Sequence, residues 1–177
     1  ITLPANQVPE ALRQCIGQGI RGAVIISAGF AEAGPEGKKL QDEVLGIARE
    51  GRIPLVGPNC MGLWSEPVWL NLAFEEAPMR GPIAFISQSG TLGNYLMLLA
   101  KGKGYGFRGF ISGGNQAMLE VADYLEYFGN DEKTQTIILY VEGFQNAGRF
   151  FQVAREVAPK KPILVYKAGR FDVGVRA

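Results

Sequence analysis

The sequence predicts an α/β protein built from parallel sheets flanked by helices, on three grounds. Short apolar runs recur without polar alternation, GAVIIS at 22–27, IAFIS at 83–87 and TIILYV at 136–141, as strands buried on both faces require. Between them, apolar residues return at helical spacing: Val44, Ile47 and Ala48; Met118, Val121, Ala122 and Leu125; Phe150, Val153, Ala154 and Val157. Many of the runs end in glycine, of which the chain holds 24, and strand ends are where open parallel sheets place their ligand loops.

ITLP at 1–4 reads as a strand, and Val8, Leu12, Cys15 and Ile16 then outline a helix that stops at Gly19. A buried strand at 22–27 is closed by Ala28-Gly29-Phe30. A helix on Leu40, Val44, Ile47 and Ala48 turns Lys and Glu outward, and a strand at 53–56 runs into GPNCMG at 57–62. Residues 63–80, with Pro67 and Pro78 around the apolar patch VWLNLAF, read as a linker with one short edge strand. Trp64 and Trp69 would pack that linker against a domain or a partner. The alternation restarts with a strand at 83–87, a helix at 92–101 on Leu92, Tyr95, Leu96 and Leu99, and a strand at 107–112. A helix at 118–128, a strand at 136–141, a helix at 147–157 and a strand at 163–167 complete it, with Phe150-Phe151, Leu125 and Phe128 as core. Right-handed crossovers put these strand ends on one edge. That edge collects Ser89-Gly90-Thr91, Gly113-Gly114-Asn115, Glu142-Gly143 and Ala168-Gly169-Arg170.

Composition narrows the function. With 47% hydrophobic and 20% charged residues the chain is globular, not disordered. A net charge of +1 without a basic run gives no electrostatic basis for nucleic acid or an anionic membrane as partner. No apolar stretch approaches the roughly 20 residues of a membrane span, and the opening residues do not compose a signal peptide. Cys15 and Cys60 are far apart and lack metal-ligand spacing, so no metal site is expected and a reducing, cytoplasmic location is. The chain has no histidine, which rules out a His-based triad, a His metal ligand or a phosphohistidine on these residues.

The chemistry concentrates at 87–91. A strand that empties through Ser87-Gln88-Ser89-Gly90-Thr91 into a helix leaves backbone N–H groups without carbonyl partners, all aimed one way. Those donors, the helix dipole and the hydroxyls attract an anion, phosphate above all. The same three residues also compose a plain helix N-cap. Asn59 fits either a Gly-Pro-Asn turn or a functional group, and Glu142 either a functional carboxylate or a loop charge. Cys60 reads equally as a small core residue and as a site neighbour, while Lys167 and Arg170 are candidates to neutralise phosphate. A flavin site would need flanking aromatics, and the loop after 141 supplies only Phe144.

The order GPNCMG (57–62), SQSGTL (87–92), SGGN (112–115), VEG (141–143) and KAGR (167–170) resembles the α-subunit half of the nucleotide-diphosphate-forming acyl-CoA synthetases, the relatives of succinyl-CoA synthetase and ADP-forming acetyl-CoA synthetase. VIISAGFAE (24–32) and KAGR are similar to the acetyl-CoA synthetase branch. The resemblance implies residues 1–62 as the C-terminal half of a Rossmann-like CoA-binding domain, 63–80 as a linker with an edge strand, and 81–177 as a flavodoxin-like succinyl-CoA-ligase domain. It implies interconversion of acyl-CoA, ADP and phosphate with free acid, CoA and ATP through an acyl phosphate and a phosphohistidine. Nucleotide (ATP or ADP with Mg) would sit on an ATP-grasp domain or subunit, in an oligomer.

By position, the resemblance assigns the transferring phosphate to Ser89, Gly90 and Thr91. It assigns CoA contacts to Pro4, Ile26, Ser27 and Ala28, the loop facing the phosphorylated histidine to Asn59 and Cys60, and the carboxylate that holds the imidazole to Glu142. The histidine is expected just beyond Ala177 and a Gly-rich CoA loop upstream of Ile1, so a fragment of a longer enzyme is expected, inactive by itself. Asn94 beside Tyr95 stands where succinyl-type members carry an aromatic, which leaves the acyl group open. The alternative reading is a non-catalytic acyl-CoA-sensing domain of a protein acetyltransferase.

Overall fold

The structure, a computed structural model, describes residues 1–169. Arg170 and the stretch to Ala177 lie outside them. Among the described residues the chain forms β1 (Ala23–Val24), β2 (Leu55–Val56), β3 (Leu63–Ser65), β4 (Leu70–Asn71), β5 (Arg80–Ser87), β6 (Phe107–Ser112), β7 (Thr136–Val141) and β8 (Ile163–Lys167). The helices are α1 (Val8–Gly17), α2 (Pro35–Glu50), α3 (Gly90–Gly102), α4 (Val121–Asn130) and α5 (Ala147–Val157), with 3-10 turns at Ala5–Gln7 and Ala31–Ala33.

In the first half β1 and β2 pair in parallel. Ile1 flanks β1: its amino group donates to the Val24 carbonyl at 2.6 Å, and its own carbonyl accepts from Ile26 at 3.0 Å. Of the expected strand at 1–4, only Ile1 therefore pairs, because the chain turns at Pro4 into the 3-10 turn. Val8, Leu12, Ile25, Phe30, Val44, Ile47, Ala48, Ile53 and Leu55 form the core between α1, α2 and the strands. Each is buried through apolar area removed from water, at roughly 25 cal/mol per Å².

The second half is a sheet of order β4-β3-β6-β5-β7-β8, parallel across β6, β5, β7 and β8. The expected linker with one edge strand is instead a two-strand hairpin. Trp64 pairs with Asn71 and, on its other side, with Phe110 of β6, both antiparallel. Two prolines obscured this pattern, but Pro67 lies in the turn and Pro78 precedes β5, where neither removes a ladder bond. Trp64 is buried with Phe85, Met97, Phe107 and Phe110, whereas Trp69 is exposed under the Arg80 guanidinium, whose carbon lies 3.3 Å from the ring centroid.

Three further expectations shift. α4 begins at Val121, not 118, because Glu120 caps it: its carboxylate takes a first-turn N–H while Asp123 takes the Glu120 N–H at 2.8 Å. Leu119 is thereby left outside the helix, its N–H donating to the Leu55 carbonyl in the first half. On α3 the apolar repeat faces outward, Tyr95 57% and Leu99 46% exposed, and Gly93 with Met97 faces the sheet. A Cβ at Gly93 would lie 2.7 Å from the Phe110 ring, so only glycine allows this helix–sheet distance. Phe151 is also exposed, while Phe150 is core.

Candidate active site

The two halves meet along the carboxyl edges of their strands. The loop after β2 crosses to the loop after β6: Asn115 N donates to Pro58 O at 2.9 Å, Ala117 N to Gly57 O at 3.0 Å, and Ser112 N to Gly62 O at 2.9 Å. Gly114 has φ +57, and a Cβ there would fall 2.2 Å from the Pro58 carbonyl oxygen. This approach requires glycine twice over, for conformation and for space.

A cleft of about 430 Å³ opens at this junction, lined by Ile26, Asn59, Cys60, Met61, Gly90, Thr91 and Asn94. One wall is the tip of α3. Ser89 is its N-cap, with its hydroxyl accepting from Leu92 N at 3.3 Å and its carbonyl from Gly93 N at 3.0 Å. The N–H groups of Gly90 and Thr91 precede the first helical bond, so they and the dipole point to an anion from the cleft wall. Gly90 brings this tip against the GPNCMG loop, since its absent Cβ would contact Met61 Cβ at 3.0 Å. Met61 N in turn donates to the buried Ser112 hydroxyl at 2.9 Å.

The opposite wall carries Asn59 and Ile26. Asn59 adopts φ +54, its N–H donates to Ser27 O at 2.9 Å, and its Nδ2 donates to Asn115 Oδ1 at 3.2 Å. Asn115 Nδ2 donates onward to Gln41 Oε1 at 2.9 Å and to the Glu32 carboxylate. Glu32 also accepts from Gly29 N at 2.6 Å and Phe30 N at 3.1 Å, shaping the loop that follows Ala28. Burial raises the Glu32 carboxyl, but the Asn115 amide and these backbone donors outweigh it and hold the group below the usual carboxylate range. Cys60 is buried, its Sγ 3.3 Å from the Ile25 carbonyl, and burial pushes its thiol up, which makes it a packing residue rather than a nucleophile.

Of the residues predicted from sequence, Ile26, Asn59, Gly90 and Thr91 line the same cleft, and Ser89 caps the helix that forms its wall. Ser27 and Ala28 follow at the end of the β1 path, and Ser27 Oγ is buried without a hydrogen-bond partner. Pro4 sits one loop away, on the exposed turn whose Ala5 packs at Gly29. Glu142 is exposed at the end of β7, the strand next to β5, on the same sheet edge as the α3 tip. Gln88, Glu32, Ser112 and Asn115 stood in the motifs without an assigned role. Their contacts cross from one loop to another, and sequence spacing carries no signal of that.

An α/β fold whose two carboxyl edges converge on a hydroxyl-capped helix tip is the arrangement in which open parallel sheets receive phosphate-bearing ligands. Residues 1–66 match the family described as CoA binding domain and residues 80–177 the family described as succinyl-CoA ligase like flavodoxin domain. The chain belongs to this succinyl-CoA ligase-like family, with a CoA-binding domain in front. It is 43% identical over its whole length to acetate–CoA ligase [ADP-forming] I of Archaeoglobus fulgidus, of which it covers 26%. It is 42% identical to the acetate–CoA ligase [ADP-forming] I subunit alpha of Pyrococcus furiosus, of which it covers 38%. The structure of the Ca. Korarchaeum cryptofilum dinucleotide forming acetyl-coenzyme A synthetase 1 with phosphate and ADP superposes at a TM-score of 0.93 with 37% identity, over 99% of this chain and 38% of that one. The chain thus spans about a quarter to two fifths of these relatives. Among the described residues, no helix is long and apolar enough to cross a membrane.

Proposed function

We propose that this chain is the CoA- and phosphate-handling part of an ADP-forming acyl-CoA synthetase, which interconverts acyl-CoA, ADP and phosphate with free acid, CoA and ATP. The observation that carries the reading is the single cleft that Ile26, Asn59, Gly90 and Thr91 line from both halves. Residues 1–62 act as the later half of a Rossmann-like CoA-binding domain and 81–177 as the flavodoxin-like ligase unit, whose sheet the β3–β4 hairpin within 63–80 extends.

Pro4, Ile26, Ser27 and Ala28 receive CoA at the end of the β1 path, and the orphaned Ser27 hydroxyl is the donor such a ligand satisfies. The N–H groups of Gly90 and Thr91, with the Ser89 and Thr91 hydroxyls, hold phosphate while one of its oxygens attacks the thioester carbonyl. The C–S bond breaks, CoA leaves as thiolate and an acyl phosphate remains. The helix tip then stabilises charge on the phosphoryl group as it passes to a histidine nitrogen from outside these residues, releasing the carboxylate. Asn59, fixed by Asn115, faces that exchange. Glu142 accepts the other imidazole N–H, which sets its tautomer and stabilises the cation that forms. An ATP-grasp domain or subunit supplies Mg-bound nucleotide to take the phosphoryl group, in an oligomeric, cytoplasmic enzyme.

The ligase activity of the relatives favours this reading over a non-catalytic acyl-CoA sensor. In the intact protein, Glu142→Gln should slow phosphoenzyme formation from acyl-CoA and phosphate by about 100-fold while leaving CoA affinity unchanged. An intact protein that binds acyl-CoA yet makes no ATP from acyl-CoA, ADP and phosphate would overturn the ligase reading in favour of the sensor.

A further inference from the structure

The Glu142 side chain is exposed, so packing does not hold it. The next residue, Gly143, has nothing within 4 Å of where a Cβ would stand. The β5–β7 ladder ends with Gln88 N donating to Tyr140 O at 3.1 Å, after which β5 turns into the α3 tip and β7 into the 142–143 loop. The Gln88 side chain carries the pairing on past that point. Its Oε1 accepts from Glu142 N and from Gly143 N, the latter at 2.9 Å, and its Nε2 donates to Gly143 O at 2.6 Å. From the other side, Lys167 Nζ donates to Glu142 O at 2.6 Å and to Ala168 O.

We infer that Gln88 is a positioning residue for Glu142: its amide, opposed by the Lys167 ammonium, fixes the backbone carrying that carboxylate relative to the phosphate-holding helix tip one residue away. The inference rests on the reading of Glu142 as the group that orients the imidazole. A glutamine suits the task because a neutral amide matches both an N–H pair and a carbonyl, and it leaves the Glu142 charge for the imidazolium.

A double-mutant cycle in the intact enzyme tests this, with phosphoenzyme formation from acyl-CoA and phosphate as the readout and thermal unfolding as the folding control. Gln88→Met, similar in length without the hydrogen bonds, should slow phosphorylation about 10-fold with the phosphate KM unchanged. In the Glu142→Gln background the same substitution should cost less than about 2-fold, because little is left to position. Lys167→Met should show the same collapse, so a poorly folding Gln88 variant does not end the test. Equal losses in both backgrounds, a raised phosphate KM or no effect of Gln88→Met would overturn the inference. A Glu142→Gln enzyme as fast as wild type would remove the proposed role of Glu142 itself, and this inference with it.

Discussion

Ser89 serves two ends with one hydroxyl: it caps α3 through Leu92 N and stands beside the free N–H groups of Gly90 and Thr91. Ser89→Ala should therefore cost about 1 kcal/mol of stability from the lost cap and weaken phosphate binding as well. Ser89→Gly restores much of the cap's stability but not the hydroxyl, so urea denaturation alongside phosphate titration of both variants separates the two roles. If Ser89→Gly binds phosphate like wild type, the hydroxyl only caps. Gly114 is the sterner case. Alanine there must hold φ +57, at about 1 kcal/mol, and drive its methyl into the Pro58 and Asn59 carbonyls. We expect Gly114→Ala to lose about 3 kcal/mol in denaturant unfolding, since overpacking adds to the backbone strain, and to displace Asn59 from the cleft. GPNCMG and SGGN were legible in the sequence as glycine loops. That they press on one another was not, because the contact joins residues 57–59 to 114–117 and no local pattern encodes it.

Among the elements, the β3–β4 hairpin shows how a segment without strong strand signals is held. Arg108 of β6 is largely buried and reaches Glu66 in the hairpin turn and Asp131 after α4, the latter through Nε at 2.8 Å and Nη2 at 3.0 Å. The Arg108 guanidinium holds the Asp131 carboxyl at about 2 against burial, with Thr134 adding a hydrogen bond. Its unfolded value is 3.8. The folded pKa is the lower one, so the pair stabilises fully above about pH 4 and progressively less as pH falls towards 2. Arg108→Met leaves two carboxylates facing each other and should cost about 3 kcal/mol at pH 7. Urea denaturation should also show a smaller loss between pH 5 and pH 3 in the variant than in wild type, and equal losses would rule the pair out as the source of acid sensitivity. In α3 the element itself was legible but its buried face was not. Leu92, Tyr95, Leu96 and Leu99 make a proper helical repeat, yet the sheet takes Gly93 and Met97, because the Phe110 ring leaves room only for glycine.

At the scale of the molecule, the two halves share backbone bonds and one apolar core, in which Val56 and Cys60 pack with Ala84, Ile86, Val121 and Leu139. They should unfold as one unit. Hydrogen exchange under native conditions is expected to give the Ile25 and Leu139 amides the same opening free energy, and a first half that opens separately would contradict this. Alternating strands and helices, buried parallel runs and glycine-rich strand ends were all determined by the sequence alone, since burial on two faces and 3.6-residue spacing are local properties of a chain. So was the hydroxyl-bearing helix tip, which needs only its neighbours in sequence. Tertiary structure alone decided which loops share the cleft, which face of α3 is buried, and that a proline-marked linker completes a sheet. It also decided that Gln88 and Asn115 reach across to Glu142 and Asn59. Those outcomes depend on contacts between residues dozens of positions apart, whose energy exists only once the chain has closed upon itself.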